Sequence, residues 1–255
     1  VEQRGIDVVV RLLDSDEKVI VEYDYDPRLI GDEIVELVSE NGGICRLEVE
    51  PRQRAARSGS FSITLTEARQ STEGEKALYE SRLLLAQASR LWRTYKYTEA
   101  LPLAERALAI RQRELGAEHA DTGLAMFTLA NIHSDLSDFK KGESYYLRAI
   151  EIRSKTLGPE HFSLTPIYNN FGIVYKEQGQ YAKAEALFQK ALDIRERVLE
   201  PDHLLIASAM NNLASVVRIR GDEAKAAGLY KKVLEIREKA LGPEDLEVAT
   251  ALNNL

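Results

Sequence analysis

The sequence contains almost nothing from which a covalent or metal-held framework could be built. Cys45 is the one cysteine among 255 residues, which excludes an internal disulfide and a cysteine-based zinc site. It lies in the apolar alternating segment 43–49, and we interpret it as a small buried strand residue, with a reactive nucleophile as the alternative. Phosphate-binding glycine loops, nucleophile elbows and HExxH motifs are missing as well. We therefore expect no enzymatic activity, no catalytic residues and no cofactor in these 255 residues.

Long apolar runs and an excess of basic charge are also missing. No stretch approaches 18 uncharged apolar residues, so the sequence predicts no insertion into a membrane. The chain has 34 Lys and Arg against 41 Asp and Glu. Residues 1–68 hold 8 of these basic and 15 of these acidic side chains, so the whole net charge of −7 lies in that segment. Since neither part is basic, nucleic acid is not expected as a partner.

The two ends of the sequence do not look like natural termini. The chain starts at Val1, inside an apolar run, and stops in a helix-forming motif at Leu255. We expect both ends to be cuts in a longer protein. The missing leader therefore does not decide the localisation, which the sequence leaves open.

What the sequence has in abundance is an internal repeat of 42 residues. Ile-Arg recurs in one register four times, at 110–111, 152–153, 194–195 and 236–237. Leu-Gly or Leu-Glu follows each time, and Glu-His, Asp-His or Glu-Asp keeps the same period. An aromatic residue recurs at Tyr97, Phe139 and Tyr181, and Glu223 breaks that series. A fixed period of this size predicts a solenoid whose units bury their faces on one another.

Each unit is predicted to contain two helices. In the third copy, Tyr168, Phe171, Gly172 and Tyr175 have helical spacing and form one apolar face. Gly179 provides a stop, because glycine takes the left-handed conformation at low cost. A second apolar helix follows over residues 184–194. Small residues recur in both helices, where they would let two helix backbones approach closely.

These residues resemble the tetratricopeptide pattern, and the 42-residue period resembles the kinesin light chain type. The resemblance rests on Asn-Asn-Leu-Ala in the first helix and on Ala-Leu-x-Ile-Arg-x-x-x-Leu-Gly-Pro-Glu-His after it. It implies an all-α, right-handed superhelix that binds proteins. We predict repeats over 97–255, the last one incomplete, and a linker with a first capping helix over 69–96. In that helix Leu85, Ala88 and Trp92 replace the usual motif.

Residues 1–68 have a different pattern. Short β-branched runs over 7–13, 18–23, 44–49 and 60–65 alternate with turn formers. They predict a small antiparallel β-sandwich that is truncated at its N-terminus, so the fold class of the chain is α+β multidomain. The phrases at 5–14 and 43–51 are similar to bacterial pre-peptidase C-terminal sandwiches. A sandwich ahead of such repeats resembles the N-terminal part of bacterial proteins that end in a caspase-like CHAT protease.

The first helices of the repeats carry a polar stripe. A peptide-binding groove is predicted there, because the first helix of each pair lines the concave surface of such a solenoid. An asparagine amide can donate to and accept from the backbone of an extended peptide, and Lys176 and Arg218 can bind acidic groups. The predicted groove residues, called the amide stripe below, are Asn131, Asn169, Asn170, Ile173, Lys176, Asn211, Asn212, Ser215 and Arg218.

The asparagines have a second interpretation. Asparagine is a poor residue in the middle of a helix, so its recurrence needs a cause, and hydrogen bonding between adjacent repeats is one. The sequence leaves peptide contact and inter-repeat bonding open, and both can hold together.

Other polar residues invite metal sites. His119, His161 and His203 recur one repeat apart, too far to share an ion, so we interpret them as helix-start residues; His133 is expected in the core. The acidic turns of the predicted sandwich offer oxygen ligands of the kind calcium binds, although turns favour aspartate in any case. These candidate calcium ligands are Asp14, Asp16, Asp24 and Asp26.

Together the patterns predict a protein-interaction scaffold that binds a peptide or partner protein in its groove, as the recognition part of a larger bacterial effector. One alternative is a purely structural or self-associating module, since a last repeat cut in half exposes an apolar face. Another is the regulatory region of a CHAT-type protease. A hydrolase that uses Cys45 is a third class.

Overall fold

The computed structural model describes residues 71–255 in full and, before them, the backbone of six short strands. Their bounds are β1 Glu2–Arg4, β2 Val8–Leu13, β3 Val19–Tyr23, β4 Ile30–Asp32, β5 Arg46–Pro51 and β6 Ser60–Ser62. They form two antiparallel sheets in the orders β4-β1-β6 and β3-β2-β5.

Packing of these sheets into a sandwich would depend on side chains outside the described residues, so the sandwich stays a prediction. The same holds for Cys45 and for the four candidate calcium ligands. Those ligands are Asp14, Asp16, Asp24 and Asp26.

The part of the chain described in full is helical. Its helices are α1 Glu73–Arg93, α2 Tyr97–Leu115, α3 Ala120–Asp135, α4 Phe139–Leu157, α5 Thr165–Glu177, α6 Tyr181–Val198, α7 Leu204–Ile219, α8 Glu223–Leu241 and α9 Leu246–Asn254. A 3₁₀ turn, Phe162–Leu164, precedes α5. Helices α1 and α2, α3 and α4, α5 and α6, and α7 and α8 pack as pairs. None of these helices is both long and apolar enough to cross a membrane.

The third pair shows how the apolar residues hold two helices together. Phe171 of α5 and Phe188 of α6 are each 1% exposed. A β-carbon built on Gly172 would lie 2.7 and 2.9 Å from ring carbons of Phe188. The glycine predicted to let backbones approach therefore makes room for the ring of Phe188, which fills the space between the helices.

The turn inside each pair requires one residue in the left-handed region. Gly179 and Gly221 fill it with φ of 73° and 93° in the third and fourth pairs. In the first two pairs the equivalent residues are Tyr95 and Ser137, with φ of 62° and 64°. The predicted glycine stop is therefore present in half of the pairs. The other two accept the steric cost that this region imposes on a side chain.

Replacement by alanine should change the free energy of unfolding in opposite directions at two of the glycines. Gly172→Ala is expected to lower the free energy of unfolding by about 1–3 kcal/mol, because the new β-carbon overlaps the ring of Phe188. Gly228 lies inside α8 and has no atom within 4 Å of its would-be β-carbon. Gly228→Ala should therefore raise that free energy by about 0.5–1 kcal/mol. Chemical denaturation of the two variants measures both, and equal losses would contradict the packing described.

Candidate functional site

The asparagines of the amide stripe are joined from repeat to repeat by hydrogen bonds. Asn212 Nδ2 of α7 donates to Asn169 Oδ1 of α5 at 2.8 Å. One repeat later, Asn254 Nδ2 of α9 donates to Asn211 Oδ1 of α7 at 3.1 Å. Both bonds link residues 43 apart in sequence, so the same contact is repeated along the solenoid. The inter-repeat bonding that the sequence left open is therefore present.

These asparagine hydrogen bonds between successive repeats, called the amide ladder or the ladder below, change at the N-terminal end of the array. Position 127, the equivalent of Asn169, is a phenylalanine, so Asn170 Nδ2 donates to Asn131 Oδ1 at 3.2 Å. The hydroxyl of Tyr146 donates to the same oxygen at 2.6 Å. Asn131 is 8% exposed. It thus lies within the helix packing, whereas Asn169, Asn170, Asn211 and Asn212 are half-buried.

The ladder leaves specific polar atoms of the stripe available. In α5, Asn169 Nδ2 donates to Asn170 Oδ1 at 3.2 Å, so these two amides satisfy each other. In α7, the described residues provide no partner for Asn211 Nδ2 or for Asn212 Oδ1. The fourth repeat therefore presents one donor and one acceptor side by side. Their orientation is fixed, because the other end of each amide is held in the ladder.

The remaining stripe residues differ in how strongly they are engaged. Lys176 is half-buried and makes no hydrogen bond or ion pair with a described residue. Arg218 is exposed; its Nη1 donates to the carbonyl of Asn254 at 3.3 Å, and its guanidinium lies 5.2 Å from the ring centroid of Tyr230. Ser215 donates to the carbonyl of Asn212 at 2.9 Å, and Ile173 packs on the core. Lys176 is thus a cation of the stripe that has no partner in the part of the chain described, 71–255.

A stack of aromatic rings supports the N-terminal half of the stripe. The ring centroids of Tyr146 and Phe171 are 4.7 Å apart, and those of Phe171 and Tyr175 are 4.3 Å apart. The Tyr175 hydroxyl donates to Glu143 Oε1 at 2.7 Å. Burial and this contact with the Glu143 carboxylate raise the pKa of Tyr175 above its usual value. The phenol of Tyr175 is therefore neutral, and the stack joins α5 to α4 near the stripe.

The recurring histidines begin helices, as the sequence indicated. Nδ1 of His119, His161 and His203 accepts the backbone N–H two residues on, at 3.1, 3.2 and 3.0 Å. In the next repeat Asp245 Oδ1 makes the same bond to Glu247 at 2.8 Å. These residues are N-caps, which satisfy a backbone donor at the start of the helix. Among the residues that the structure describes, no group of three or more His, Cys, Asp or Glu side chains could hold a metal ion.

His133 lies in the core, as expected. It is 5% exposed and stacks on Tyr145 with ring centroids 5.6 Å apart. Its Nδ1 is 3.5 Å from Asp138 Oδ2. Burial lowers the pKa of His133 below its usual value, although the carboxylate of Asp138 acts in the opposite direction. The imidazole is therefore a packing residue without access to a ligand.

Four buried arginines have a role that the sequence analysis missed. Near the end of the second helix in each pair, a guanidinium donates from Nη1 to a backbone carbonyl of a first helix. Burial lowers the pKa of Arg195 to about 10. The 42-residue recurrence of arginine on an apolar face was the available signal. These residues, called the clip arginines below, are Arg111, Arg153, Arg195 and Arg237.

Comparisons with known proteins agree with this geometry. A model of the tetratricopeptide repeat family matches residues 79–155, 128–197, 163–239 and 205–255. No curated protein matches the chain. A putative kinesin light chain from Podosopora anserina, with nearly identical TPR-like repeats, is 24% identical and has a TM-score of 0.61 over 69% of this chain and 84% of its own. BtubC (BKLC) from P. vanneervenii is 23% identical, with a TM-score of 0.59 over 69% and 68%. The fold is thus shared with kinesin light chain-like solenoids.

The ladder bond between Asn169 and Asn212 should be measurable as a coupling free energy. In a double-mutant cycle with Asn169→Ala and Asn212→Ala, we expect the two sites to be coupled by about 1 kcal/mol of unfolding free energy, as for a partly buried hydrogen bond. Asn253→Ala is the control, because Asn253 is exposed and outside the ladder. Additive losses at Asn169 and Asn212 would show that the ladder does not stabilise the array.

The N-cap hydrogen bonds predict that His203 can be replaced by aspartate without loss of stability. His203→Asp is expected to keep the free energy of unfolding, since Asp245 makes the equivalent bond at the start of α9. His203→Ala should lower it by about 1 kcal/mol, because the N–H of Leu205 loses its acceptor. Thermal and urea unfolding of the two variants provide the measurement. An alanine variant as stable as the aspartate variant would exclude the capping role.

Proposed function

The chain belongs to the tetratricopeptide repeat family, and we propose that it acts as a receptor for an extended peptide segment of a partner protein. The family and the kinesin light chain-like fold support a protein-interaction scaffold. The observation that carries the finer proposal is the half-buried amide stripe, where the amide ladder and Lys176, which has no partner among the described residues, belong to the first helices of successive repeats.

The chemistry of recognition follows from the atoms that the ladder leaves over. Asn211 Nδ2 matches a peptide carbonyl and Asn212 Oδ1 matches a peptide N–H, so the pair suits main-chain contacts that are independent of side-chain identity. The ladder prevents the amides from rotating, which reduces the entropy lost on binding. Lys176 and Arg218 add two cations along the same helices. Their preferred partner is an acidic side chain or a terminal carboxylate.

A purely structural array remains the second candidate, and the ladder itself favours it. In α5 the amides of Asn169 and Asn170 bond each other as well as the neighbouring repeats. Their recurrence is therefore accounted for without any ligand. The two candidates differ at Lys176: a structural role requires only its favourable place in the last turn of α5, whereas a receptor role requires that its ammonium contact the ligand.

The larger bacterial setting rests on domain order alone. In that proposal the repeats would regulate or target a C-terminal effector such as a CHAT protease, and the N-terminal segment would be an accessory domain. Reading the coding sequence beyond Leu255 for a catalytic domain tests the idea. Its absence there would remove the effector while leaving the receptor proposal intact.

Selection from a random peptide library tests the receptor proposal directly. Peptides retained by the wild-type chain should bind at least tenfold more weakly to Lys176→Glu and to Arg218→Glu, about 1.4 kcal/mol for each change. Charge reversal would repel the acidic group that each cation is expected to hold. The affinities are to be measured by calorimetry, and thermal unfolding must show that each variant is as stable as the wild type.

Lys232→Glu provides a matched control. Lys232 is exposed on α8 and lies outside the stripe, so its reversal changes the net charge equally and should leave binding intact. Equal losses in all three variants would indicate non-specific electrostatics. A library that yields no peptide would favour the structural array.

A further inference from the structure

Three of the four clip arginines reach forward to the next repeat, and one reaches backward. Arg111, Arg195 and Arg237 donate from Nη1 to the carbonyls of Asp121, Leu205 and Glu247, each ten residues ahead, at 2.6, 2.8 and 3.1 Å. Arg153 instead donates to the carbonyl of Ala120, 33 residues behind, at 2.8 Å. The forward bond that joins one pair to the next is thus replaced, between α4 and α5, by a bond within the second pair.

The residue that lies 30 positions before each clip explains the difference. For the four clip arginines in chain order this residue is Ser81, Gly123, Thr165 and Ala207. Only Arg153 therefore has a residue without a β-carbon at this position. A β-carbon at Gly123 would lie 3.0 Å from Cγ of Arg153. The stem of Arg153 therefore occupies space that a β-carbon would restrict in the other repeats.

The start of α5 also differs from the starts of α3, α7 and α9. Those helices begin directly after the cap, whereas α5 begins three residues later, behind the 3₁₀ turn at Phe162–Leu164. Pro166 has no N–H, so it cannot donate to the carbonyl of Phe162 in an α-helical turn. The segment tightens into 3₁₀ geometry. The carbonyl at Ser163, which corresponds to the three forward acceptors, therefore lies in an altered first turn.

The junction between α4 and α5 is closed at one end only. The helices pack more loosely on each other than α2 on α3 or α6 on α7. What joins them lies near the stripe: the stack of Tyr146 on Phe171, the bond from Tyr175 to Glu143 and the amide bond from Asn170. At the clip end, Nε of Arg153 and Oγ1 of Thr165 are buried without a hydrogen-bond partner, as are Nε of Arg195 and Nε of Arg237 at the other junctions. What is particular to this end is the missing forward bond, since Arg153 donates to Ala120 instead. A joint that is held at one end and lacks the forward bond at the other can open and close about the held end.

We propose that the α4–α5 junction is a hinge of the solenoid and that Arg153 exchanges between two hydrogen-bond acceptors there. In the open state Arg153 is bound backward to Ala120, as in this structure. In the closed state it reaches forward to the carbonyl of Ser163, and the second and third pairs pack as closely as the others. This inference goes beyond the receptor proposal and does not depend on it.

Distances between spin labels across neighbouring junctions test the hinge. In the full chain with Cys45→Ser, labels are attached at Ser154→Cys with Glu196→Cys, across the hinge, or at Glu196→Cys with Glu238→Cys, across the next junction. These positions are equivalent in the repeat. We expect the distance distribution across the hinge to be about twice as wide as the other, or two-peaked, since two clip positions exchange. Distributions of equal width in the wild-type background would overturn the proposal.

Variants then assign the hinge to its residues. Gly123→Ala with Pro166→Ser should push the stem of Arg153 away and restore the first turn of α5, so that the wide distribution narrows. Thr165→Gly should give Arg195 room to turn back, which would broaden the distance distribution between labels at positions 196 and 238. Thr165→Ala keeps the β-carbon and should leave that distribution narrow. A hinge that stays wide in the first variant, or equal effects of glycine and alanine at position 165, would contradict the role of Arg153.

Discussion

The solenoid depends on the burial of each helix pair against its neighbour. Leu213 of α7 is 1% exposed in the packing of α7 on α8, while its equivalent Leu255, which follows α9, is 63% exposed. The two leucines have the same place in the repeat, and no described helix packs on α9 as α8 packs on α7. Complete burial of such a side chain stabilises the fold by about 1.5–3 kcal/mol. A helix pair without neighbours therefore loses much of what holds it together.

The helical part was largely predictable because its signal is repeated. Four copies in one register predict the two-helix unit, the apolar faces, the capping histidines and the core position of His133 from the sequence alone. The details that were not predictable are those that depend on contacts between copies. Arg153 has the same place in the repeat as Arg195, yet it donates backward rather than forward, and the residue 30 positions earlier is a glycine instead of a threonine. The missing side chain that matters here lies on another helix.

For the candidate site, the sequence identified the residues but left their bonding open. An asparagine on a helix face predicts a hydrogen bond without naming its partner, and here neighbouring asparagines are partners to each other. Asn131 could not be distinguished from the others by sequence, because its burial depends on the helices packed around it, among them α4, whose Tyr146 hydroxyl donates to it. The strand-rich segment before residue 71 was predicted from short runs with few copies, and its side chains lie outside the described residues.

The looser packing between α4 and α5 has a consequence for how the array unfolds. In a linear repeat protein, cooperativity is transmitted through the interfaces between neighbours, so the weakest interface sets the length over which units melt together. The α4–α5 interface divides the described repeats into two blocks of two helix pairs each, with α9 attached to the second. Unfolding is thus expected to depart from two-state behaviour at this point. One block can lose its structure while the other still holds a folded surface.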